Sequence, residues 1–368
     1  MRSINKFKLN FSLILLLCST VVFAQSGAVE TVSNSNHIIP IGNSTVTLQQ
    51  NSFSINRDSY QIFSEQIDGK KVFYISENGE FFVIANYGFK EGKDDYFVDY
   101  YLFNNQFEQV TKYREIAPFD LPHPIVSVSD AGFIATFDPL TFKLNIIEQN
   151  TNTSSVLLEG VSFEMERTPM IKCLGNQIIV ASNVTAMNQS IEDADVNLFL
   201  IDKNSNKVVN QKLPLSIVTG LHFSETYLMV SGLIWNADKV YGKTYEFDSA
   251  LNQNREFNLN FEKMIKVDDG FFLISGNRVK KLSHNFDLQK EIEIKGFRIF
   301  NIISSENHIA INFSAENGNY LSILSQNDLS EVTHPILISE KQIWHNIYLT
   351  ASELYFHDLT KTYKYRLK

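Results

Sequence analysis

A short pattern recurs along this chain: a polar turn rich in Asn, Asp, Ser or Gly, then an apolar run. It reads SENGEFFVIA ending at Ala85, SDAGFIA at Ala135, LGNQIIVA at Ala181 and SETYLMVS at Ser231. It continues as DDGFFLIS at Ser275, SENHIAIN at Asn312 and TASELYFH at His357. Successive copies are 50, 46, 50, 44, 37 and 45 residues apart. A chain built this way must fold one small unit many times over. The clearest copy, Ile265 to Glu293, reads as four strands, IKV, FFLIS, VKKLS and LQKEIE, parted by DDG, GN and HNFD turns. Asn, Asp and Gly accept the backbone angles that reverse a strand, and β-branched and aromatic residues fill the runs between. One such meander cannot bury both its faces, so it needs neighbours of its own kind.

A second feature follows most copies by about 15–20 residues, as in YLFNNQFEQ, LNIIEQNTNTS, LFLIDKNSNK, YEFDSALNQ, KLSHNFDLQ and LSILSQNDLS. Each is a strand, a polar turn and another strand, the outer half of a four-stranded unit. No run of a dozen residues carries the apolar stripe of a helix, and 29 Phe and 15 Tyr enrich the chain in strand formers. The reading is all-β. Steps near 45 residues match a β-propeller blade of about 40–50, giving a single propeller over residues 37–368 with seven blades, or six if the last copy is not a full blade. That last copy, IWHNIYLT, ELYFH and TYKYRLK, is one strand short. An N-terminal strand near Tyr60 to Ser64 is expected to complete it and remove an open edge.

On these repeats the chain resembles secreted β-propeller proteins in general, over most of its length. The Gly-His to Trp-Asp, kelch and Ser-x-Asp-x-Gly-x-x-Trp signatures of named families are absent. Residues 1–24 read as an export signal: Arg2, Lys6 and Lys8, then the 13-residue apolar run Phe11 to Phe23, then Val22 and Ala24 before a mature start at Gln25. The run is too short for the roughly 20 residues of a spanning helix. A leader ending Phe23-Ala24-Gln25 and a wealth of Asn, Lys, Ile and Phe resemble exported proteins of Bacteroidota. The expected place is therefore periplasmic or extracellular. Residues 25–36 are polar and read as a flexible lead-in.

Without the leader's three basic residues the chain has 29 basic against 41 acidic side chains, a formal charge of −12. That balance argues against nucleic acid and against anionic membranes. Cys173, alone after leader removal, excludes an intramolecular disulfide and reads as a small buried apolar residue. No cofactor, metal site or obligate oligomer is indicated, and the expected state is monomeric. Sequons stand at Asn43, Asn152, Asn183, Asn188 and Asn312.

The turns between first and second strands are uniformly tight. The second-to-third connections vary: NYGFKEGKDD, NVTAMNQSIEDAD, GLIWNADK and a bare GN. Varied loops on one end of a rigid scaffold are where binding commonly resides. The expected face therefore carries residues 87–95, 118–124, 183–195 and 232–240. Its candidate binding residues are Asp120, His123, Asp193, Asp195, Trp235, Asp238 and His345. Asp193, Asp195 and Asn197 have a calcium-loop spacing, but Leu198 and Asn204 break the pattern and leave a solvated acidic loop. Tyr87, Phe89 and Trp235 could stack on sugar rings or enter a partner surface. His222 and His308 read as structural. The function expected is a binding or scaffold module for a protein or glycan partner. The alternative is a secreted hydrolase or lyase acting on glycans at the propeller's axial mouth, its acid and base drawn from Asp120, His123, Glu166, Asp238 and His345. No motif forces those residues together, and no H-E-x-x-H, G-x-S-x-G, C-x-x-C or P-loop occurs.

Overall fold

A computed structural model describes residues 30–33, 37–58, 60–90, 95–117, 125–138, 141–149, 152–158, 169–184, 195–224, 226–236, 239–340, 347–350, 352–357 and 361–367. Among them there is no α-helix, and the strands form eight four-stranded sheets. After β1 (Glu30–Ser33), the first sheet holds β2 (His37–Ile41), β3 (Ser44–Leu48), β4 (Ser52–Arg57) and β5 (Tyr60–Gln66). The second holds β6 (Lys70–Ile75), β7 (Phe81–Lys90), β8 (Asp95–Asn104) and β9 (Gln109–Ala117). The third holds β10 (Ile125–Val128), β11 (Ile134–Asp138), β12 (Lys143–Ile147) and β13 (Thr153–Leu157). The fourth holds β14 (Met170–Leu174), β15 (Gln177–Val184), β16 (Asp195–Asp202) and β17 (Lys207–Leu213). The fifth holds β18 (Ile217–Phe223), β19 (Leu228–Asn236), β20 (Lys239–Phe247) and β21 (Gln253–Phe257). The sixth holds β22 (Lys263–Val267), β23 (Gly270–Ser275), β24 (Arg278–Leu282) and β25 (Leu288–Glu293). The seventh holds β26 (Arg298–Ser304), β27 (His308–Ala315), β28 (Gly318–Ser325) and β29 (Glu331–Ser339). The eighth runs β1, β32 (Thr362–Arg366), β31 (Glu353–His357), β30 (Ile347–Leu349).

Eight blades replace the seven, or six, expected from the repeats. The uncounted blade is the first sheet. Its second strand, STVTL, alternates buried and half-buried residues, whereas β7 buries Phe82 to Asn86 in succession and β23 buries Gly270 to Ile274. A ruler tuned to continuous apolar runs passes over an alternating strand. The eighth sheet does take its fourth strand from the N-terminal side, but that strand is β1, with Glu30 opposite Lys364 and Thr31 opposite Tyr363. Tyr60 to Ser64 belongs instead to β5, where Ser64 faces Ser54 of β4. Residues 1–29, with the whole of the stretch expected to be an export signal, lie outside the described residues.

Two compact units divide the chain: Leu48–Glu291, and Met1–Thr47 together with Ile292–Lys368. In the first unit, the first strands β6, β10, β14, β18 and β22 lie each beside the next. Apolar side chains fill the spaces between successive sheets. Tyr100, Leu102, Ile134 and Ile147 join sheets two and three, and Phe133, Leu144, Ile178 and Phe199 join three and four. Leu198, Leu215, Val230 and Phe247 then join four and five. The second strands β7, β15, β19 and β23 have core on both faces and each bury five residues in succession, so they read as largely apolar runs. Outer strands have one wet face, so β13 and β17 largely alternate exposed residues with buried or half-buried ones. In the second unit, Leu321, Ile323, Leu354, Phe356 and Tyr365 pack sheets seven and eight together.

Candidate functional site

An antiparallel meander puts its first-to-second and third-to-fourth turns at one end and its second-to-third turn at the other. At that second end the β19–β20 hairpin outgrows its sheet on both sides and the β7–β8 hairpin chiefly on one, since β9 follows β8 as far as Tyr96 opposite Ala117. The β7–β8 ladder runs ten pairs, from Phe81 opposite Asn104 to Lys90 opposite Asp95, while β6 follows it only to Tyr87. The β19–β20 ladder runs nine pairs, ending at Asn236 opposite Lys239. There β18 stops at Leu233 and β21 reaches only Thr244. Three pairs, Ile234 with Tyr241, Trp235 with Val240 and Asn236 with Lys239, thus stand without a third strand on either side. At about 3.3 Å per residue they form an arm roughly 10 Å long.

The stretches NYGFKEGKDD and GLIWNADK, expected to be loops, are therefore largely strand. Their aromatic and β-branched residues extend the ladders as far as Lys90 opposite Asp95 and Asn236 opposite Lys239; residues 91–94 and 237–238 lie outside the described set. Each arm is anchored by local chemistry. At the base of the β19–β20 arm, Trp235 N–H donates to Ser216 Oγ at 2.9 Å. Gly242 stands where any Cβ would meet Asn260. In the β7–β8 arm the Phe97 ring covers Gly88, and Arg114 stacks on Phe97 at 4.1 Å from its centroid. Arg114 also grips the buried Asp99 carboxylate with two bonds, Nε to Oδ1 at 2.6 Å and Nη2 to Oδ2 at 2.8 Å. Such a two-pronged pairing fixes geometry as well as charge.

Of the expected binding residues, Trp235 and Asp195 fall among the described residues. Trp235 is half-buried on the arm, sharing a face with Val240, which is 52% exposed; Tyr241, 45% exposed, lies on the opposite face. Asp195 opens β16 opposite Val184, and Asn197, two residues on, is buried in the strand. Within the Asp-x-Asp-x-Asn stretch, Asp195 and Asn197 are thus strand residues of β16. Asp120, His123, Asp193, Asp238 and His345 lie outside the described residues, as does Glu166. Among the described residues no group of three or more His, Cys, Asp or Glu side chains is placed to hold a metal ion. Tyr87 is half-buried, and its phenol is pushed up by burial and by neighbouring Tyr74. Cys173 is buried beside Ser127, with burial raising its thiol to about 12, which makes it a packing residue.

Sequence reasoning missed a layer of buried polar pairs across the second and third strands. They are Asn86 with Asp99, Thr136 with Asn145, Ser182 with Asn197, and Ser231 with Thr244. Several tie a sheet to its neighbour. Ser231 Oγ accepts from Phe261 N–H at 2.7 Å, and Asn86 Nδ2 donates to Asp68 O at 3.2 Å. Glu115 of β9 accepts from Asn145 Nδ2 at 2.7 Å, Tyr100 OH at 3.1 Å and Thr136 Oγ1 at 3.3 Å. Burial still wins over those bonds and raises the Glu115 carboxyl above its usual range. The signal was present: Asn86, Thr136 and Ser182 each directly follow the alanine that ends a recurring apolar run.

No protein-family model and no curated protein matches the chain. Solved structures do match, at the level of fold. Sqt1 of Saccharomyces cerevisiae aligns with a TM-score of 0.56 and 7% identity over 93% of this chain and 99% of that one. The Dos1 propeller aligns at 0.54 and 11% over 94% and 95%. Dipeptidyl peptidase 4 of Porphyromonas gingivalis aligns at 0.57 and 8% over 92% of this chain and 57% of that one. The chain is a β-propeller. At such identities the likeness extends to the fold and no further.

Proposed function

We propose that this protein is an exported binding or scaffold module that holds a protein or glycan partner at the second-to-third-turn end of its sheets. The β19–β20 arm carries the reading. A two-stranded ribbon is marginal by itself, yet this one presents Trp235, Val240 and Tyr241 beyond the strands that support its base. Trp and Tyr are over-represented among residues that dominate binding energy, because a large rigid ring loses little entropy when covered. The varied second-to-third connections support the same end as the contact surface. The comparison with Sqt1, Dos1 and the peptidase supports the scaffold and leaves the partner open.

Immobilised mature protein, incubated with envelope extract and with a glycan array, tests this against Trp235→Ala combined with Tyr241→Ser. Loss of the captured protein or glycan signal by tenfold or more, as expected for a dominant contact, is the anticipated result. Equal capture by the double variant, with an unchanged melting curve, would overturn it. Export is tested separately by the intact mass of the secreted form, expected to begin at Gln25.

A further inference from the structure

Sheet seven carries a cleft at its second-to-third-turn end, built from two short segments and one strand. The link into β26 supplies Lys295 and Phe297, the β27–β28 turn supplies Glu316 and Asn317, and β28 supplies Tyr320. The cleft holds about 360 Å³, within the roughly 300–1,000 Å³ of small-molecule sites. Backbone chemistry shapes its walls. Gly296 brings the link close against β27, where any Cβ would meet the Ser314 carbonyl oxygen and the Phe313 ring. The next N–H, that of Phe297, donates to Ser314 O at 2.8 Å. The turn has two residues and is closed by Ala315 opposite Gly318, whose φ of 141° only glycine adopts without strain. Tyr320 stacks on Phe313, its partner across the ladder, with ring centroids 5.7 Å apart and planes 22° from parallel.

Phe297 is thus fixed at its backbone, and yet its side chain stands in water, 65% exposed. Around it are hydrogen-bonding groups of both kinds. The Lys295 ammonium donates, the Glu316 carboxylate accepts, and the Asn317 amide does both. The lining charges are one of each sign, so the cleft has no bias towards a charged ligand. Such a lining suits a molecule with an apolar face and several hydroxyl groups around its rim. We infer that the cleft binds a sugar unit of a neutral glycan, its C–H face against Phe297 and its hydroxyls paired with Glu316 and Asn317. Covering the ring removes apolar area from water on both partners, whereas exposed charges alone contribute little. This rests on the binding reading above and narrows its partner to a glycan, at a cleft that shares no residue with the β19–β20 arm.

Titration calorimetry on the mature protein tests it with cellotetraose, xylotetraose, maltotetraose and mannotetraose, and with glycylphenylalanine as a charged small molecule. Saturable binding of at least one tetrasaccharide is expected, and its affinity should hold within about twofold from low salt to roughly 0.5 M, since no ion pair is formed. Phe297→Ala is expected to weaken it about tenfold or more, as for a dominant contact. Should that variant alter the melting curve, Asn317→Ala, on the exposed turn, is expected to show a several-fold loss with the fold intact. Equal binding by wild type and both variants overturns the proposal, as does binding of glycylphenylalanine with none of the sugars. Loss of tetrasaccharide binding in the Trp235→Ala, Tyr241→Ser double variant but not in Phe297→Ala puts the sugar on the arm, which overturns the cleft and supports the arm. Absence of saturable binding by all four sugars overturns the cleft alone, since capture of a protein by the arm is read separately.

Discussion

Gly270 begins β23 with a φ of 146°, a region only glycine enters without strain, and a Cβ there would run into the carbonyl oxygen of Leu282. Gly270→Ala is expected to cost about 3 kcal/mol or more, the strain alone contributing roughly 1–3, measured as a shift in urea unfolding. Glu115 makes the opposite kind of prediction. Its folded pKa is raised, so its contribution is fully present below the unfolded value of about 4.5 and is lost as pH rises through the folded value. Glu115→Gln keeps the shape without the buried charge. Its melting temperature relative to wild type is therefore expected to climb from pH 4 to pH 7, and a flat difference would contradict that origin. Some of this was legible residue by residue, since Cys173 and His222 are buried as their strand contexts implied. The Glu115 network was not, because its partners stand 15, 21 and 30 positions away on three other strands.

Strands and turns were the most legible level. The four strands read between Ile265 and Glu293 match β22 to β25 to within a few residues, because the strands hold the branched, aliphatic and aromatic residues and each turn carries Asp, Asn or Gly. Misreadings arose where an element lacked that contrast. The first sheet alternates instead of running apolar, and the two arms continue as strand through stretches whose Gly, Asn and Lys suggested loops. The short β1 lies in a polar lead-in that offers no pattern of its own, so only its partner β32 explains why it is a strand. Removing residues 25–36 would leave β32 as a bare edge. With three register pairs at about 1 kcal/mol per hydrogen bond, a loss of roughly 2–4 kcal/mol is expected. Calorimetry should show the earlier transition and light scattering the aggregation that an open edge invites.

For the molecule as a whole, fold and function were legible to very different degrees. A repeating pattern reports a repeating architecture directly, since every blade must solve the same packing problem. A contact between distant blades leaves no such trace: Glu77 and Lys172, an ion pair, are 95 positions apart and meet only after folding. The pairing of β1 with β32 has a further consequence, one of timing. Glu30 leaves the ribosome 334 residues ahead of Lys364, its partner. At about 5–20 residues per second the first strand waits on the order of 20–60 s for its place in a sheet. Joining two such distant points of a flexible chain would cost roughly 5 kcal/mol in loop entropy, whereas joining them after the intervening sheets have formed avoids most of it. Amide exchange during refolding should therefore find Thr31 among the last positions to gain protection, and until then the earliest-made strand is the one most open to pairing with the wrong neighbour.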